Sequence, residues 1–255
     1  MVCRVTTLKA AVVASARLAG VDLVRFRSVR HPIGRRNRVM AALGIDLVID
    51  VGANLGQFAI EIRRNGYTGR IVSIEPLVAP YEELSRLAAK DARWAVIRSA
   101  VGPRTGAATM HVAANAGASS SLLPMLDLLA RVAPEVTYVG DERVDVATLD
   151  DLVPPDATEG GSVFMKLDVQ GYELRVLEGG AATLDRSSLV QVEMSLLPLY
   201  DTAPTFREVL EFMEQRGFRL IGLEPGFADR TGVLLQADGL FAAEAAARAL
   251  GAVGS

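Results

Sequence analysis

The sequence predicts a doubly wound α/β protein, an open and mostly parallel sheet with helices on both faces. Three observations lead there. Half of the 255 residues are hydrophobic but only 5% are aromatic, so the core is built from Ala, Val, Leu and Ile, as buried parallel strands covered by helices require. From residue 45 onward, short β-branched runs alternate with helix-period segments, an order that winds through right-handed crossovers into one sheet. A chain of this length has room for one large core, and two full domains would be cramped.

The elements follow in order. Residues 7–44 read as two helices broken near His31-Pro32, an N-terminal arm preceding a domain over residues 45–255. Ile-Asp-Leu-Val-Ile-Asp-Val over residues 45–51 is a first strand that opens onto glycines. A helix is expected at 56–65, a strand at 70–75, a helix at 80–90 with Glu82 and Glu83 in its first turn, and a strand at 95–99. Alternation at 107–112 suggests an added strand, and 115–121 is a loop of small residues of the kind that covers ligands. The second half gives a strand at 163–168, a helix at 172–184, a strand at 189–193 and a helix at 205–216. Residues 218–223 and 234–241 close the sheet as an antiparallel pair.

Composition narrows the function classes. The lone cysteine, Cys3, cannot form an internal disulfide, and no secretory pattern is present, so a reducing, cytoplasmic compartment is expected. Charged residues interrupt every apolar run before the ~18 residues that a bilayer span needs. Net charge is −3 but uneven: residues 1–44 hold nine Arg or Lys against Asp22 alone. A basic arm on an acidic body reads as a solvated helix face, as a contact for an acidic substrate, or as peripheral contact with the anionic inner surface of a membrane.

The segment carrying most chemistry is Asp50-Val-Gly52-Ala-Asn54-Leu-Gly56, where the first strand meets the first helix. Glycines there let the backbone turn sharply and approach a ligand, and the helix start behind them offers free N–H groups. The dinucleotide fingerprint Gly-x-Gly-x-x-Gly is not matched, and the Asp50 carboxylate would repel a pyrophosphate. A cofactor with positive charge, such as the ammonium and sulfonium of S-adenosylmethionine, fits better. Glu75, ending the second strand in Ser73-Ile-Glu75-Pro76, stands where an acid accepts hydrogen bonds from ribose hydroxyls. The cofactor-binding set is therefore Asp50, Gly52, Asn54, Gly56, Glu75 and Pro76.

These segments, together with Lys166-Leu-Asp168-Val-Gln170-Gly171-Tyr-Glu173 and the residues through Gly179, resemble the FkbM-type family of S-adenosylmethionine-dependent methyltransferases over roughly residues 45–225. The resemblance implies a class I methyltransferase fold, Rossmann-like, with seven strands and the last antiparallel. It also implies O-methylation of a hydroxyl on a sugar or secondary metabolite. The Ser119-to-Pro124 loop is similar to actinobacterial members associated with glycolipid sugars. Family members often carry Glu where this chain has Gln170.

Alternation puts Lys166 and Asp168 on one face of their strand, with Asp168 at the carboxyl edge where ligands bind. Lys166, a layer deeper, needs a partner, and Asp50 on the neighbouring strand is the expected one. Glu193 ends the next strand, so Asp168 and Glu193 form an acidic pair. Such a pair accepts a proton from a substrate hydroxyl, or holds a divalent cation, Mg²⁺ or Ca²⁺, or is structural. His31 and His111 read as incidental, while Tyr200 and Asp201 lie where an acceptor can touch them. The rival readings are a nicotinamide-dependent oxidoreductase, which lacks its third glycine here, and a nucleic-acid methyltransferase, which the acidic body and the absence of an Asn/Asp-Pro-Pro-aromatic motif disfavour, so no nucleic-acid partner is expected.

Overall fold

A computed structural model describes residues 12–21, 23, 28, 31–153 and 161–252. The chain divides into two units, Met1–Val39 and Met40–Ser255. In the first, residues 12–18 are helical, and helix α1 (Pro32–Ala42) starts with proline at its first position, where the missing N–H costs nothing. The rest of the expected first helix and the approach to His31 lie largely outside the described residues.

The second unit carries the sheet. Strand β1 (Ile45–Val51) leads into α2 (Gln57–Arg64), β2 (Arg70–Ile74), α3 (Val78–Ala88) and β3 (Trp94–Ile97). After an excursion the chain returns through β7 (Ser162–Leu167), α6 (Glu173–Glu178), α7 (Ala181–Asp185), β8 (Ser187–Ser195), α8 (Phe206–Gln215), β9 (Phe218–Pro225), β10 (Gln236–Ala243) and α9 (Glu244–Ala249). The seven strands lie in the order β3-β2-β1-β7-β8-β10-β9. Only the last strand in sequence, β10, runs antiparallel to its neighbours β8 and β9. This is the α/β sheet that the alternating pattern predicts.

The excursion forms β4 (Ala100–Val101), β5 (Gly106–Ala113), α4 (Asp127–Val132), β6 (Tyr138–Ala147) and α5 (Leu149–Leu152). Here the structure corrects the sequence reading. The strand expected at 107–112 belongs to a separate three-stranded sheet, β4-β6-β5, whose buried face joins Leu77, Ala100, Met110, Val144 and Val146. Strand β6 and helix α4 were not anticipated.

Two helices also differ. Helix α3 begins at Val78, so Glu82 and Glu83 stand beyond its first turn. The single helix expected at 172–184 is two short helices, parted at Gly179 and Gly180. A side chain at Gly179 would overlap the backbone oxygen of Gly102, and one at Gly180 would stand 2.8 Å from Leu149, so close packing with the excursion replaces helix continuity. By contrast α8 is closed by a capping box in which Thr205 and Glu208 satisfy each other's backbone N–H groups.

The main core is aliphatic, as composition requires: Leu47, Ile49, Val163, Met165, Leu167, Val190 and Val192 are among its fully buried members. Sheet order places the functional region. The chain runs from β1 outward through β2 to β3 and then returns to β7 on the other side of β1, so the crevice at the carboxyl ends of β1 and β7 is the switch point where ligands bind in open α/β sheets.

Candidate active site

At that crevice lies a cleft lined by residues from the ends of β1, β2 and β7 and from the excursion. Its floor is the turn after β1. Gly52 has φ 78°, and a side chain there would overlap the backbone oxygen of Asp168; only glycine lets β1 and β7 end so close together. Gly52 and Ala53 donate to the carbonyl of Ile74 at 3.0 and 3.1 Å, which extends the β1–β2 ladder into the turn.

Glu75 stands at one end of the cleft with Pro76 and Leu77 beside it. Its two oxygens accept the backbone N–H groups of Leu77 at 2.9 Å and Asn54 at 2.8 Å. Burial pushes its carboxyl up to about 7, against the lowering effect of those two N–H groups. Asn54, at φ 46°, donates its side-chain amide to the Ala116 carbonyl at 3.1 Å. That bond ties the glycine turn to the 115–121 loop, whose Gly117, Ala118 and Ser120 form part of the cleft wall.

Asp168, Val169, Gln170 and Tyr172, which follow β7 on the other side of β1, line the cleft as well. Asp168 is clamped from below by Lys166 at 3.2 Å and from the side by the Gln170 amide at 2.8 Å. The Glu173 carboxylate accepts the N–H groups of Val169 and Gly171 at 3.2 and 3.1 Å, so a buried acid holds the backbone loop that carries Asp168 and Gln170. Burial raises that carboxyl to about 7 as well. The motif does not single out Glu173; its signal in the sequence is an acid in the first turn of the helix after a strand-end loop.

Four of the six cofactor-binding candidates, Gly52, Asn54, Glu75 and Pro76, line the cleft together with Asp168. The other two stand behind the wall. Asp50 is fully buried, one layer below the floor, where the β1–β7 register sets it opposite Lys166 at 3.5 Å. Burial alone would lower the Lys166 ammonium, but Asp168 and Asp50 overcome it and hold the ammonium above its ordinary value. Gly56 serves packing: a side chain there would meet Leu84 at 2.7 Å and Trp94 at 3.1 Å, and Trp94 is itself fixed by its indole N–H to Ser73 at 3.0 Å.

Glu193 lies outside the cleft wall but is joined to it, because the Gln170 amide donates to Glu193 at 2.9 Å as well as to Asp168. A second amide, from Gln236, reaches the same Glu193 oxygen at 2.8 Å. Burial, then the Asp168 carboxylate, push Glu193 well above the usual carboxylate range. Pairing of β8, β10 and β9 sets Glu193, Asp238 and Glu224 side by side, continuing the acidic row from Asp168. Among the described residues no group of three or more His, Cys, Asp or Glu is arranged to hold a metal, so nothing in the site supports the Mg²⁺ alternative.

His111 stands on β5, bonded to Asp141 at 2.7 Å and stacked on Tyr138, away from the cleft. Tyr200 is buried, with its hydroxyl 2.7 Å from Gln170. Asp201 is exposed.

Comparison with known proteins follows this geometry. The family model described as the methyltransferase FkbM domain matches residues 50–220. Among solved structures, the methyltransferase FkbM from Methylobacillus flagellatus is similar at a TM-score of 0.50 and 16% identity, over 78% of this chain and 44% of that one. The chain thus spans less than half the length of that protein. A precorrin-6y C5,15-methyltransferase from Geobacter metallireducens aligns at 16% identity and a TM-score of 0.40, over 81% of this chain and 86% of that one. A Streptococcus pneumoniae protein crystallised with S-adenosyl-L-methionine aligns at 11% and 0.43, over 82% and 72%. No curated protein matches the sequence.

Proposed function

The chain belongs to the FkbM methyltransferase family, and from that premise we propose that it is an S-adenosylmethionine-dependent O-methyltransferase acting on a hydroxyl of a sugar, glycolipid or secondary metabolite. The observation that carries the reading is the pair of carboxylates lining one cleft, Glu75 after β2 and Asp168 after β7, with the Gly52 turn after β1 between those strands. Glu75 keeps acceptor capacity for ribose hydroxyls beyond its two backbone bonds. Asp168 would interact with the positively charged end of a bound cofactor, and the apolar side chains of Leu77, Met110 and Leu122 would supply a surface for its flat base.

Bound there, S-adenosylmethionine would supply an already activated methyl group, so the protein contributes chiefly alignment and the removal of one proton. Asp168 and Glu193, on adjacent strand ends, are the groups that orient the acceptor hydroxyl and take its proton. Burial holds Glu193 well above the usual carboxylate range, and a raised acid takes a proton more readily than an exposed one. The acidic row through Asp238 and Glu224 favours a polyhydroxylated, uncharged acceptor over a polyanion, because phosphates would be repelled at close range. Among the described residues no helix is long and apolar enough to cross a membrane. The basic N-terminal residues are proposed to bring the protein to anionic lipid, where a lipid-linked sugar would be met.

The reading is tested by incubating the protein with methyl-labelled S-adenosylmethionine and a panel of glycolipid and free-sugar acceptors, with RNA alongside. Label in a sugar methyl ether supports it, and label in RNA alone overturns it.

A further inference from the structure

Gln170 is the one non-glycine residue of the cleft wall, apart from Asn54, with a left-handed backbone, at φ 54°. An L-residue holds that conformation only when its surroundings impose it. Four hydrogen bonds hold the residue in place here. Ser121, fully buried, donates its hydroxyl to the Gln170 carbonyl at 2.8 Å. Tyr200, 1% exposed, donates its hydroxyl to the side-chain oxygen of Gln170 at 2.7 Å. With its oxygen thus held, the amide nitrogen faces the acids and spans Asp168 at 2.8 Å and Glu193 at 2.9 Å. The reverse orientation would set a carbonyl oxygen against two carboxylates and leave the tyrosine proton facing an N–H.

From this chain of contacts we propose that Gln170 is a positioning residue of the acceptor side. Its amide, locked by Tyr200, holds Asp168 and Glu193 as two separately oriented carboxylates. The inference rests on the reading of those two acids as the acceptor side. An amide at this position has two protons to give, one to each acid. Burial keeps the Tyr200 phenol far above its ordinary value, so its hydroxyl stays a donor at every working pH. The next nearest acceptor for that hydroxyl is the Ser119 carbonyl at 3.3 Å, in the loop that walls the cofactor cleft, so the lock stands at the joint between the two halves of the site.

The test needs neither cofactor nor acceptor. Besides burial, the charged groups that act on Glu193 are Asp168, Glu173, Asp238 and Lys166, and neither Tyr200→Phe nor Gln170→Met removes any of them. The Glu193 side-chain carboxyl of full-length protein is followed by carbon NMR against pH in wild type, both single variants and the double variant. Gln170→Met, which removes the donor, should raise the Glu193 midpoint by about one pH unit, roughly tenfold in proton affinity. Tyr200→Phe should raise it by less, because the amide is loosened and not lost. The double variant should match Gln170→Met alone, since Tyr200 acts only through the amide. An unmoved midpoint in Tyr200→Phe, or additive shifts in the double variant, overturns the proposal. S-adenosylmethionine binding, measured on the same samples, reports separately on the proposed function: wild-type protein that titrates as expected but does not bind contradicts the methyltransferase reading and leaves the lock standing.

Discussion

Glu75 accepts the backbone N–H of Asn54 at 2.8 Å, which ties the carboxyl end of β2 to the glycine turn after β1. The bond makes one side chain both a wall of the cleft and a brace for its floor. Replacing Glu75 by Ala removes the brace and leaves two amide N–H groups without their acceptor. Cofactor affinity should fall by about 1–3 kcal/mol, the cost of unpaired buried polar groups, or roughly five- to 150-fold by titration calorimetry. Unchanged affinity would mean that the cofactor does not use this end of the cleft.

Lys166 lies between two acids, 3.5 Å from Asp50 and 3.2 Å from Asp168. In Lys166→Met the fully buried Asp50 loses its counter-ion, and the expected loss in urea unfolding is about 3–5 kcal/mol. Adding Asp50→Asn should recover much of it, because the uncompensated charge is gone. If the double variant is no more stable than the single one, the charge pair is not what the layer beneath the floor depends on.

Glu75 and Glu173 are both raised by burial from 4.5 to about 7. An acid whose folded-state value is raised binds its proton more tightly when folded. The stability it contributes is therefore fully present below about 4.5 and is lost as the pH climbs through about 7. The melting temperature of Glu173→Gln protein should vary less than that of wild type between about pH 5 and about pH 8. Parallel curves for the two proteins would show that Glu173 is not desolvated as its place beneath the Val169–Gly171 turn requires.

The two glycines of the first motif separate by their neighbours. Gly52 meets the Asp168 backbone at the cleft floor, whereas Gly56 meets Leu84 and Trp94 behind it. Alanine at Gly56 should lower the melting temperature through forced repacking, by roughly 1–3 kcal/mol of stability. Alanine at Gly52 should abolish cofactor binding, because it parts β1 from β7. A Gly52→Ala protein that still bound cofactor with wild-type affinity would contradict the placement of the floor.

Much of this was legible in the sequence because local pattern and final packing agree. Period-two and β-branched runs marked every strand of the main sheet, and motif positions at strand ends brought Gly52, Asn54, Glu75 and Asp168 together. Strand β6 was missed although Val144 and Val146 alternate with charged neighbours, since its partner strands are distant or only two residues long. The break between α6 and α7 was signalled by the Gly179-Gly180 doublet, but the reason for it, contact with Gly102 and Leu149, is tertiary. Asp50 and Gly56 sat inside a binding motif, and the sequence carries no mark of which motif residues face the ligand and which face the core. Nor does spacing reveal that Tyr200 reaches back 30 residues to Gln170.

The basic N-terminal residues carry their own test. Wild-type protein should float with anionic liposomes, and a chain lacking residues 1–30, which removes Arg4, Lys9, Arg17, Arg25, Arg27 and Arg30, should not. Equal flotation of the two would retire membrane recruitment by this segment.

Parallel calorimetric titrations with S-adenosylmethionine, S-adenosylhomocysteine and NAD reach the centre of the account. The paired acids Glu75 and Asp168 across the Gly52 turn predict that the first two bind at one site and that NAD, with its pyrophosphate, does not. Binding of NAD, or of none of the three, would contradict the assignment of this cleft.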